Sequence, residues 1–515
     1  MTPIALPHET EEKQANSASP VAVAQKPSVP AATTTTAAAE PLISAASAHE
    51  LSESLERELE GNRVSTLLWP NPATEEAFFE AERMAALGVD LTRYAHIEGR
   101  DFFKPIISRK NRRLYWSLVK AYSQVAFEKL IGIAPSPVMM THIVTTRCNY
   151  NCGFCSFADT LNAKTNELSL AEIEKVYTSV GDNLNVLVYS GGETTLNKEL
   201  PEIIEAAYRL TPVQSVYIIS NAWKPDLLFQ ITHRIMQRCP GLHLTWSLSI
   251  EGPKHHNNAV RHTKKAGWDA WQNTIDTMFG LKQMRRIFGY NDLDIQLCTV
   301  STPDNAPVME EWYDFVRDAI QPDKWNLNLM RKSVQMSSNE LASFDERRAN
   351  NTLEAFEQKY LKITRKVTKD VLSGKLKFLY HTRNKLDGAM KSAVDLISQE
   401  ANRQTLKPNV DKPLSFCCKA GTMGGFIGSE GEVSGCEEFA MNPKPGDNKA
   451  FGNLRDVNYD FQALWQGEKA HQYRALVGKA PECNGCTLES QRNYPAILLS
   501  PKTMVKSALL AKRIK

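Results

Sequence analysis

The chain has 515 residues, of which 42% are hydrophobic and 23% charged, values typical of a globular protein with several domains. A net charge of +3 is too small to predict a nucleic-acid partner, and no run of about 18 apolar residues predicts a membrane span. The N-terminus lacks the basic and apolar regions of a secretory signal. Ten cysteines in such a chain favour metal or redox chemistry over disulfides, so we expect a cytoplasmic protein.

The N-terminal part of the chain divides into two segments of different composition. Residues 1–48 are rich in Ala, Thr, Pro and Ser and contain no aromatic residue, so we expect a disordered tail. Residues 49–135 have helical apolar spacing, and eight basic and two acidic residues between positions 100 and 129 produce a local charge of +6. Together with a second basic amphipathic segment at 504–515, this charge suggests peripheral membrane contact as a hypothesis.

Strand-like apolar runs alternate with helix-length segments from residue 136 to residue 335. This alternation predicts an α/β fold with parallel strands, a partial (β/α)6 TIM-like barrel whose chemistry lies on the loops after the strands. Residues 336–410 have the pattern of a helical insert, 411–492 that of a Cys- and Gly-rich α+β domain, and 493–515 that of a basic tail. The six predicted strands are 138–144, 184–189, 215–219, 243–250, 293–300 and 325–330.

Three cysteines follow the first predicted strand. Cys148, Cys152 and Cys155 have the spacing C-x3-C-x2-C, and no fourth cysteine lies nearby. Three thiolates hold three irons of a four-iron cluster and leave the fourth iron open, whereas a complete structural cluster needs four cysteines. An open metal position is typical of a site where chemistry takes place. A zinc site or scattered core cysteines are the alternatives, although zinc motifs usually contain a second C-x2-C pair.

The cysteine spacing resembles that of the radical SAM enzymes, in which S-adenosylmethionine (SAM) chelates the open iron. After the second strand, Gly191, Gly192 and Glu193 are similar to the GGE motif of that family. Glycines at such a turn let backbone approach a ligand closely, and a carboxylate accepts hydrogen bonds from the methionyl ammonium group of SAM. The resemblance extends over residues 138–335.

Two further stretches carry the same resemblance. Asn221 lies where the family has a Thr-Asn-Gly turn, with Ala222 in place of the glycine. Ser249 and Arg261 lie in a stretch that resembles Ser-x-Asp-Gly-Pro…Arg, with Glu251 where Asp is usual. The resemblance implies that the ribose of SAM contacts Ser249, that its carboxylate or ribose contacts Arg261, and that its adenine packs against Phe154. A surface salt bridge is the alternative role for Arg261.

A second set of cysteines lies near the C-terminus. Cys418, Cys436, Cys483 and Cys486, with intervening glycines, resemble the SPASM/twitch extension of radical SAM enzymes, which holds auxiliary clusters. No cysteine follows Cys486, so the match is to a twitch domain with one fully ligated four-iron cluster, for which electron transfer is the expected role. A zinc ribbon is the alternative, since four thiolates suit zinc equally well.

Three other cysteines are not among the preferred cluster ligands. Cys417 adjoins Cys418 and is the alternative ligand, although the C-x-A-G pattern begins at Cys418. Cys239 and Cys298 lie in or beside apolar patterns, where we expect buried small hydrophobic residues. No residue is predicted as a hydrogen donor or general base.

The resemblance implies an enzyme that reductively cleaves SAM to a 5′-deoxyadenosyl radical, which abstracts a hydrogen atom from the substrate. It also implies two [4Fe-4S] clusters and SAM as cofactors, and an electron donor such as flavodoxin or ferredoxin. We expect oxidation or rearrangement of a small-molecule natural-product intermediate, because relatives with one fully ligated auxiliary cluster include dehydrogenases. The alternatives are a maturase of ribosomal peptides, a modifier of a membrane lipid, and a non-catalytic iron–sulfur scaffold or electron carrier.

Overall fold

A nine-stranded sheet forms the centre of the protein, whose structure is a computed structural model. The structure describes residues 105–106, 120, 123, 132–330, 354–376, 385–406, 418–479, 483, 486, 493–498 and 500–514, with gaps at 159, 164, 264–266, 438–439 and 441–449. The predictions for residues 1–48 and for nearly all of 49–131 therefore lie outside the described residues.

The strands are β1 (Met139–Thr145), β2 (Val186–Gly191), β3 (Ser215–Ser220), β4 (His243–Ser249), β5 (Leu293–Ser301), β6 (Lys324–Leu329), β7 (Gly424–Ile427), β8 (Glu432–Ser434) and β9 (Gly452–Asn453). Their spatial order is β6-β5-β4-β3-β2-β1-β7-β8-β9, with parallel pairing from β6 to β7 and antiparallel pairing beyond. The two edges of the sheet do not meet. The predicted α/β fold with a partial barrel is therefore confirmed.

Helices connect the parallel strands and cover one face of the sheet. The helices of this region are α1 (Leu170–Ser179), α2 (Leu200–Leu210), α3 (Pro225–Arg238), α4 (Lys254–Val260), α5 (Ala270–Phe288) and α6 (Met309–Phe315), the last continued by a π-helical turn. Later in the chain come α7 (Ala355–Ser373), α8 (Lys385–Thr405), α9 (Phe461–Trp465), α10 (Glu468–Leu476), α11 (Tyr494–Leu498) and α12 (Pro501–Ala511).

Alternating side chains distinguish the two faces of the sheet. Side chains point to opposite faces at successive positions of a strand. In β3, Val216 and Ile218 are fully buried, whereas Tyr217 between them is partly exposed. The buried set packs against the helices: the Trp246 indole of β4, for example, donates to Thr232 Oγ1 of α3 at 2.7 Å. We call the helix-covered side the outer face and the side of Tyr217 the inner face.

The C-terminal part of the chain continues the same sheet. Strand β7 pairs with β1 in parallel, from Met139 opposite Gly424 to His142 opposite Ile427. The Trp465 indole in α9 donates to the Pro135 carbonyl at 2.8 Å, just before β1. The predicted C-terminal α+β segment is thus bonded edge to edge to the strand that precedes the first cysteine loop.

Helices occur in the described parts of both segments that flank this C-terminal region. The predicted insert over 336–410 contains α7 and α8, and the predicted basic tail over 493–515 contains α11 and α12. Ala511 of α12 packs against Ala393 of α8. The exact domain boundaries stay predictions. Within the described ranges, no helix has both the length and the apolar composition needed to cross a membrane.

A charged cluster joins α1 to the C-terminal segment. Glu172 of α1 accepts hydrogen bonds from Arg455 Nε at 3.0 Å and from the Tyr459 hydroxyl at 2.6 Å. Hydrogen bonding by Arg455, with help from Tyr459 and Ser169, holds the pKa of Glu172 at about 2. Because this pKa is lower in the folded state, the ionised carboxylate stabilises folding above about pH 4.5, and the contribution is lost as the pH falls toward 2.

We predict that Glu172→Gln lowers the free energy of unfolding at neutral pH by about 1 kcal/mol or less, because the group is close to solvent. The variant should also lose stability less steeply than the wild type between about pH 4.5 and pH 2. Chemical unfolding at several pH values measures both effects. Glu174→Gln is the matched control, since Glu174 lies in the same helix and pairs with Arg209 instead. Equal pH slopes for wild type and Glu172→Gln would contradict the prediction.

Candidate functional site

The first cysteine loop follows β1 at the C-terminal edge of the parallel sheet. The amide of Tyr150 points at Cys148 Sγ at 3.5 Å, and the amide of Cys155 donates to the Cys152 carbonyl at 3.1 Å. Asn162 holds the start of the loop, because its amide group both accepts from the Cys148 backbone N–H and donates to the Cys148 carbonyl, each at 3.0 Å. The three thiols therefore belong to one loop with a fixed backbone.

The environment of these thiols fits an iron–sulfur cluster. Burial raises the pKa of Cys148 to about 11 and that of Cys152 to about 12, so thiolates here need compensating positive charge. Arg261 Nη1 lies 3.8 Å from Cys152 Sγ, and bound iron would supply the remainder. No three described His, Cys, Asp or Glu side chains converge on a single ion, whereas a cluster bonds each thiolate to a different iron.

The glycine pair after β2 packs directly on the backbone that leads into the cysteine loop. The amide of Gly192 donates to the Thr145 carbonyl at 2.9 Å. A Cβ atom on Gly191 would lie 2.2 Å from the Thr145 carbonyl oxygen, and one on Gly192 would lie 2.3 Å from the Arg147 carbonyl oxygen. Gly191 also has φ +142°, in the region that favours glycine. Only glycine at both positions allows this close approach.

Glu193 is fully buried next to the glycine pair. Its Oε1 accepts from the hydroxyls of Thr195 at 2.6 Å and Ser220 at 2.8 Å, and its Oε2 accepts from the Asn221 amide at 2.7 Å. Burial raises the pKa of Glu193, and these hydrogen bonds act in the opposite direction. The carboxylate therefore ties the turn after β2 to the turn after β3. Its predicted contact with the ammonium group of SAM stays a prediction.

The turn after β3 reaches the cysteine loop. The Asn221 side-chain amide donates to Asn149 Oδ1 at 2.9 Å, next to Cys148. Ala222 has φ +54°, the left-handed conformation in which the related turn has glycine. Ala222 therefore adopts the backbone conformation that favours glycine, and its Cβ atom makes this conformation sterically less favourable.

Arg261 forms a salt bridge, as its alternative role predicted, but the pair is buried and not at the surface. Its Nε donates to Glu251 Oε1 at 2.9 Å, and both residues are at least nine-tenths buried. Glu251 Oε2 also accepts from the Val300 amide at 2.6 Å. The guanidinium carbon of Arg261 lies 5.4 Å from the Phe154 ring centre. Ser249 lies at the end of β4, so these predicted SAM-binding residues share one edge of the sheet.

Three cysteines of the second set lie near a buried tyrosine. Burial raises the pKa of Tyr473 well above its usual value, and the neighbouring thiols of Cys436, Cys418 and Cys483 add to this effect. The Tyr473 ring packs directly on Gly435, next to Cys436. A Cβ atom at Gly435 would lie 2.3 Å from this ring, so no larger residue fits there. The structure thus brings three of the four predicted ligands to one side chain.

The fourth predicted ligand of this set is Cys486. Its backbone amide donates to the Cys483 carbonyl at 3.4 Å, so a tight turn holds the two cysteines close together. The alternative ligand Cys417 lies outside the described residues. The nine described cysteines form no disulfide with one another. Cys239 is buried as predicted, whereas Cys298 is only partly buried and accepts a hydrogen bond from Asn328 at 3.3 Å.

Three aromatic residues at the site, Tyr150, Trp223 and Trp268, were not predicted from the sequence. The Trp268 indole donates to the Tyr150 hydroxyl at 2.9 Å and stacks with Trp223, with ring centres 6.3 Å apart. Trp223 in turn donates to Thr195 Oγ1 at 3.0 Å, next to Glu193. Of these residues, only Trp223 has a sequence signal that connects it to the site, because it directly follows the turn of Asn221 and Ala222.

Comparison with known proteins identifies both cysteine regions. A family model described as the radical SAM superfamily matches residues 142–283, and one described as the SPASM iron–sulfur cluster-binding domain matches residues 417–487. A search of curated protein sequences found no match.

Several solved structures are similar to the chain at low identity. A structure of anSMEcpe with bound AdoMet has 14% identity and a TM-score of 0.45, and covers 73% of this chain and 92% of that one. SuiB of Streptococcus suis bound to S-adenosylmethionine has 16% identity and a TM-score of 0.44, with coverage of 86% and 90%. BtrN in complex with AdoMet and 2-DOIA has 13% identity and a TM-score of 0.33, with coverage of 70% and 99%.

The predicted resemblance is confirmed at the level of domains. A radical SAM domain works with SAM and a four-iron cluster, and a SPASM domain holds iron–sulfur clusters, so the predicted cofactors are confirmed as well and the zinc-ribbon alternative is not supported. The chain contains a radical SAM superfamily domain over residues 142–283 and an iron–sulfur cluster-binding SPASM domain over residues 417–487.

Proposed function

We propose that the chain is an enzyme that cleaves SAM reductively and uses the resulting radical to abstract a hydrogen atom from its substrate. Cys148, Cys152 and Cys155 would hold a four-iron cluster with one open iron for SAM. When bound, these cofactors supply the one-electron cleavage that produces a 5′-deoxyadenosyl radical. The main support for this proposal is the contact among four loops at one edge of the sheet. The loops after β1, β2, β3 and β4 are joined there by hydrogen bonds and by the contact of Arg261 with Cys152.

The surrounding residues would hold the cofactors rather than react with them. Gly191 and Gly192 let the turn after β2 pack on the backbone of the cysteine loop, beside which the amino-acid part of SAM would lie. Arg261 places a positive charge beside Cys152, while its bond to the buried Glu251 prevents it from moving into solvent. Because these groups are already oriented by the protein, binding does not require them to reorganise.

The second domain would serve electron transfer. Cys418, Cys436, Cys483 and Cys486 are proposed as ligands of one auxiliary four-iron cluster with no open iron, although Cys417 remains the alternative to Cys418. A fully ligated cluster has no position for substrate, but it can accept the electron left after hydrogen abstraction. A flavodoxin or ferredoxin is proposed as the external donor, and the cytoplasm as the compartment.

For the reaction, we propose oxidation or rearrangement of a small-molecule natural product, with a ribosomal-peptide maturase and a lipid modifier as alternatives. A non-catalytic scaffold is less well supported, because a scaffold has no need for the glycine pair or for the buried Glu251–Arg261 pair. Of the two basic segments behind the membrane hypothesis, the first lies mostly outside the described residues and the second lies largely in α12, so membrane contact stays a prediction.

We predict that replacing Cys148, Cys152 and Cys155 together by Ala lowers the iron content from about eight to about four per chain and abolishes SAM cleavage. The second cluster should remain, because its ligands lie in another domain. Iron and sulfide analysis and chromatography of 5′-deoxyadenosine, both under anaerobic conditions, measure these effects. Cys239→Ala is the matched control, since that buried cysteine should leave both readouts unchanged. Continued SAM cleavage in the triple variant would refute the proposed function.

We also predict that replacing Cys418, Cys436, Cys483 and Cys486 removes about four irons and leaves SAM cleavage, while substrate turnover falls. The single variant Cys486→Ser tests the same role with less disturbance of the core. It should change the electron paramagnetic resonance spectrum of the second cluster and leave that of the first unchanged. Stoichiometric zinc in place of the second set of irons would show that the auxiliary-cluster assignment is wrong.

A further inference from the structure

Part of the inner face of the sheet is open between β4 and β6. In β6, Asn326 and Asn328 are partly exposed, whereas Trp325 and Leu327 are each 1% exposed on the outer face. Cys298 of β5 lies on the inner face as well, opposite Asn326 in the strand pairing, and is also partly exposed. These three inner side chains therefore border accessible space, whereas Ser247 and Gln296 lie buried beside them on the same face.

The side chains along this space form a chain of neutral polar groups. The Asn328 amide donates to Cys298 Sγ at 3.3 Å, and the nearby Ser247 hydroxyl acts to lower the pKa of the same thiol. The Gln296 amide nitrogen donates to Ser247 Oγ at 2.9 Å. Gln296 is 4% exposed, and its Oε1 has no hydrogen-bond partner among the described residues. A buried carbonyl of this kind requires a donor, so the network is incomplete without a ligand or a water molecule.

Charged side chains on this part of the inner face are already paired. Lys324 Nζ lies 2.9 Å from Asp395 Oδ1 of α8 and donates to the Tyr494 hydroxyl of α11 at 2.7 Å. Asp294 Oδ2 lies 2.6 Å from His243 Nε2. A charged ligand group would have to leave water without gaining a partner of opposite charge here, and that desolvation is costly.

This region adjoins the candidate SAM site. In the strand pairing, Cys298 lies directly opposite Ser249, the predicted contact of the SAM ribose. Arg261 and Glu251 are close enough to influence the Cys298 thiol electrostatically. A group held between β4 and β6 would therefore lie next to the position at which the radical forms.

We propose that the inner face between β4 and β6 binds an uncharged, hydrogen-bonding group of the substrate, through Ser247, Gln296, Cys298 and Asn328. Calling this group part of the substrate rests on the proposed function. The chemistry required is that of a neutral hydroxyl or amide group, which a sugar-like molecule and a peptide bond both supply. Such a group donates to Gln296 Oε1 and completes the network.

Ligand-observed NMR on the anaerobic, cluster-loaded protein with SAM tests this inference. The sugar probes are glucose, glucosamine and glucuronate, which share one ring and differ in charge. The peptide probes are N-acetylalanine N-methylamide and N-acetylalanine, of which the second is an anion. The neutral member of at least one set should bind at millimolar concentration and its charged counterparts should not, and the set that binds identifies the source of the group.

Variants locate the binding of the neutral probe. Gln296→Leu and Asn328→Leu should each weaken it by about fivefold, the effect of about 1 kcal/mol for one neutral hydrogen bond. The nearly isosteric Asn328→Asp keeps the shape and adds a negative charge, so it should weaken glucose binding and strengthen glucosamine binding. Asn291→Asp, at an exposed position before β5, is the matched control and should change neither.

Three results would overturn the inference. The first is that charged probes bind as well as neutral ones, and the second is that neither neutral probe binds. The third is unchanged binding in both the Gln296 and the Asn328 variants. The same preparations are assayed for SAM cleavage. Probe binding as expected without SAM cleavage would refute the proposed function alone, whereas SAM cleavage without the expected binding would refute the inference alone.

Discussion

Backbone contact between the turn after β2 and the cysteine loop is the constraint on which the rest of the site depends. Gly191 and Gly192 lie so close to the carbonyl oxygens of Thr145 and Arg147 that no Cβ atom fits at either position. The same approach lets the amide of Glu193 donate to the Arg147 carbonyl at 2.8 Å. Its carboxylate is thereby carried inward to the turn after β3, and three loops from separate strands become one hydrogen-bonded unit.

The C-terminal region acts on this unit through the sheet rather than through a loose contact. Because β7 pairs with β1, the strand that leads into the first cysteine loop is held on both sides, by β2 and by β7. The peptide groups of β1 are therefore bonded along both edges, and the cluster loop begins from a rigid base. This arrangement also places the two cysteine sets at opposite ends of one strand pair, Cys148 after β1 and Cys418 before β7.

Features that depend on short stretches of sequence could be predicted from local patterns. The spacing of the three cysteines, the glycine pair and the alternation of strands and helices were enough to predict the fold class and the cofactors. The contacts of Glu193 with Ser220 and of Glu251 with Val300 were not predictable, because each joins residues that lie 27 or more positions apart. For the same reason Tyr494, in a segment predicted as a mere tail, was not expected to contact Lys324.

Mössbauer spectroscopy of the ⁵⁷Fe-reconstituted protein, with and without SAM, is the most direct test of the central claim. Three cysteine ligands leave one iron of the first cluster without a protein ligand, so SAM should change the signal of that iron alone. The three irons bound by Cys148, Cys152 and Cys155 and those of the second cluster should keep their parameters. Spectra that are identical with and without SAM would contradict the account.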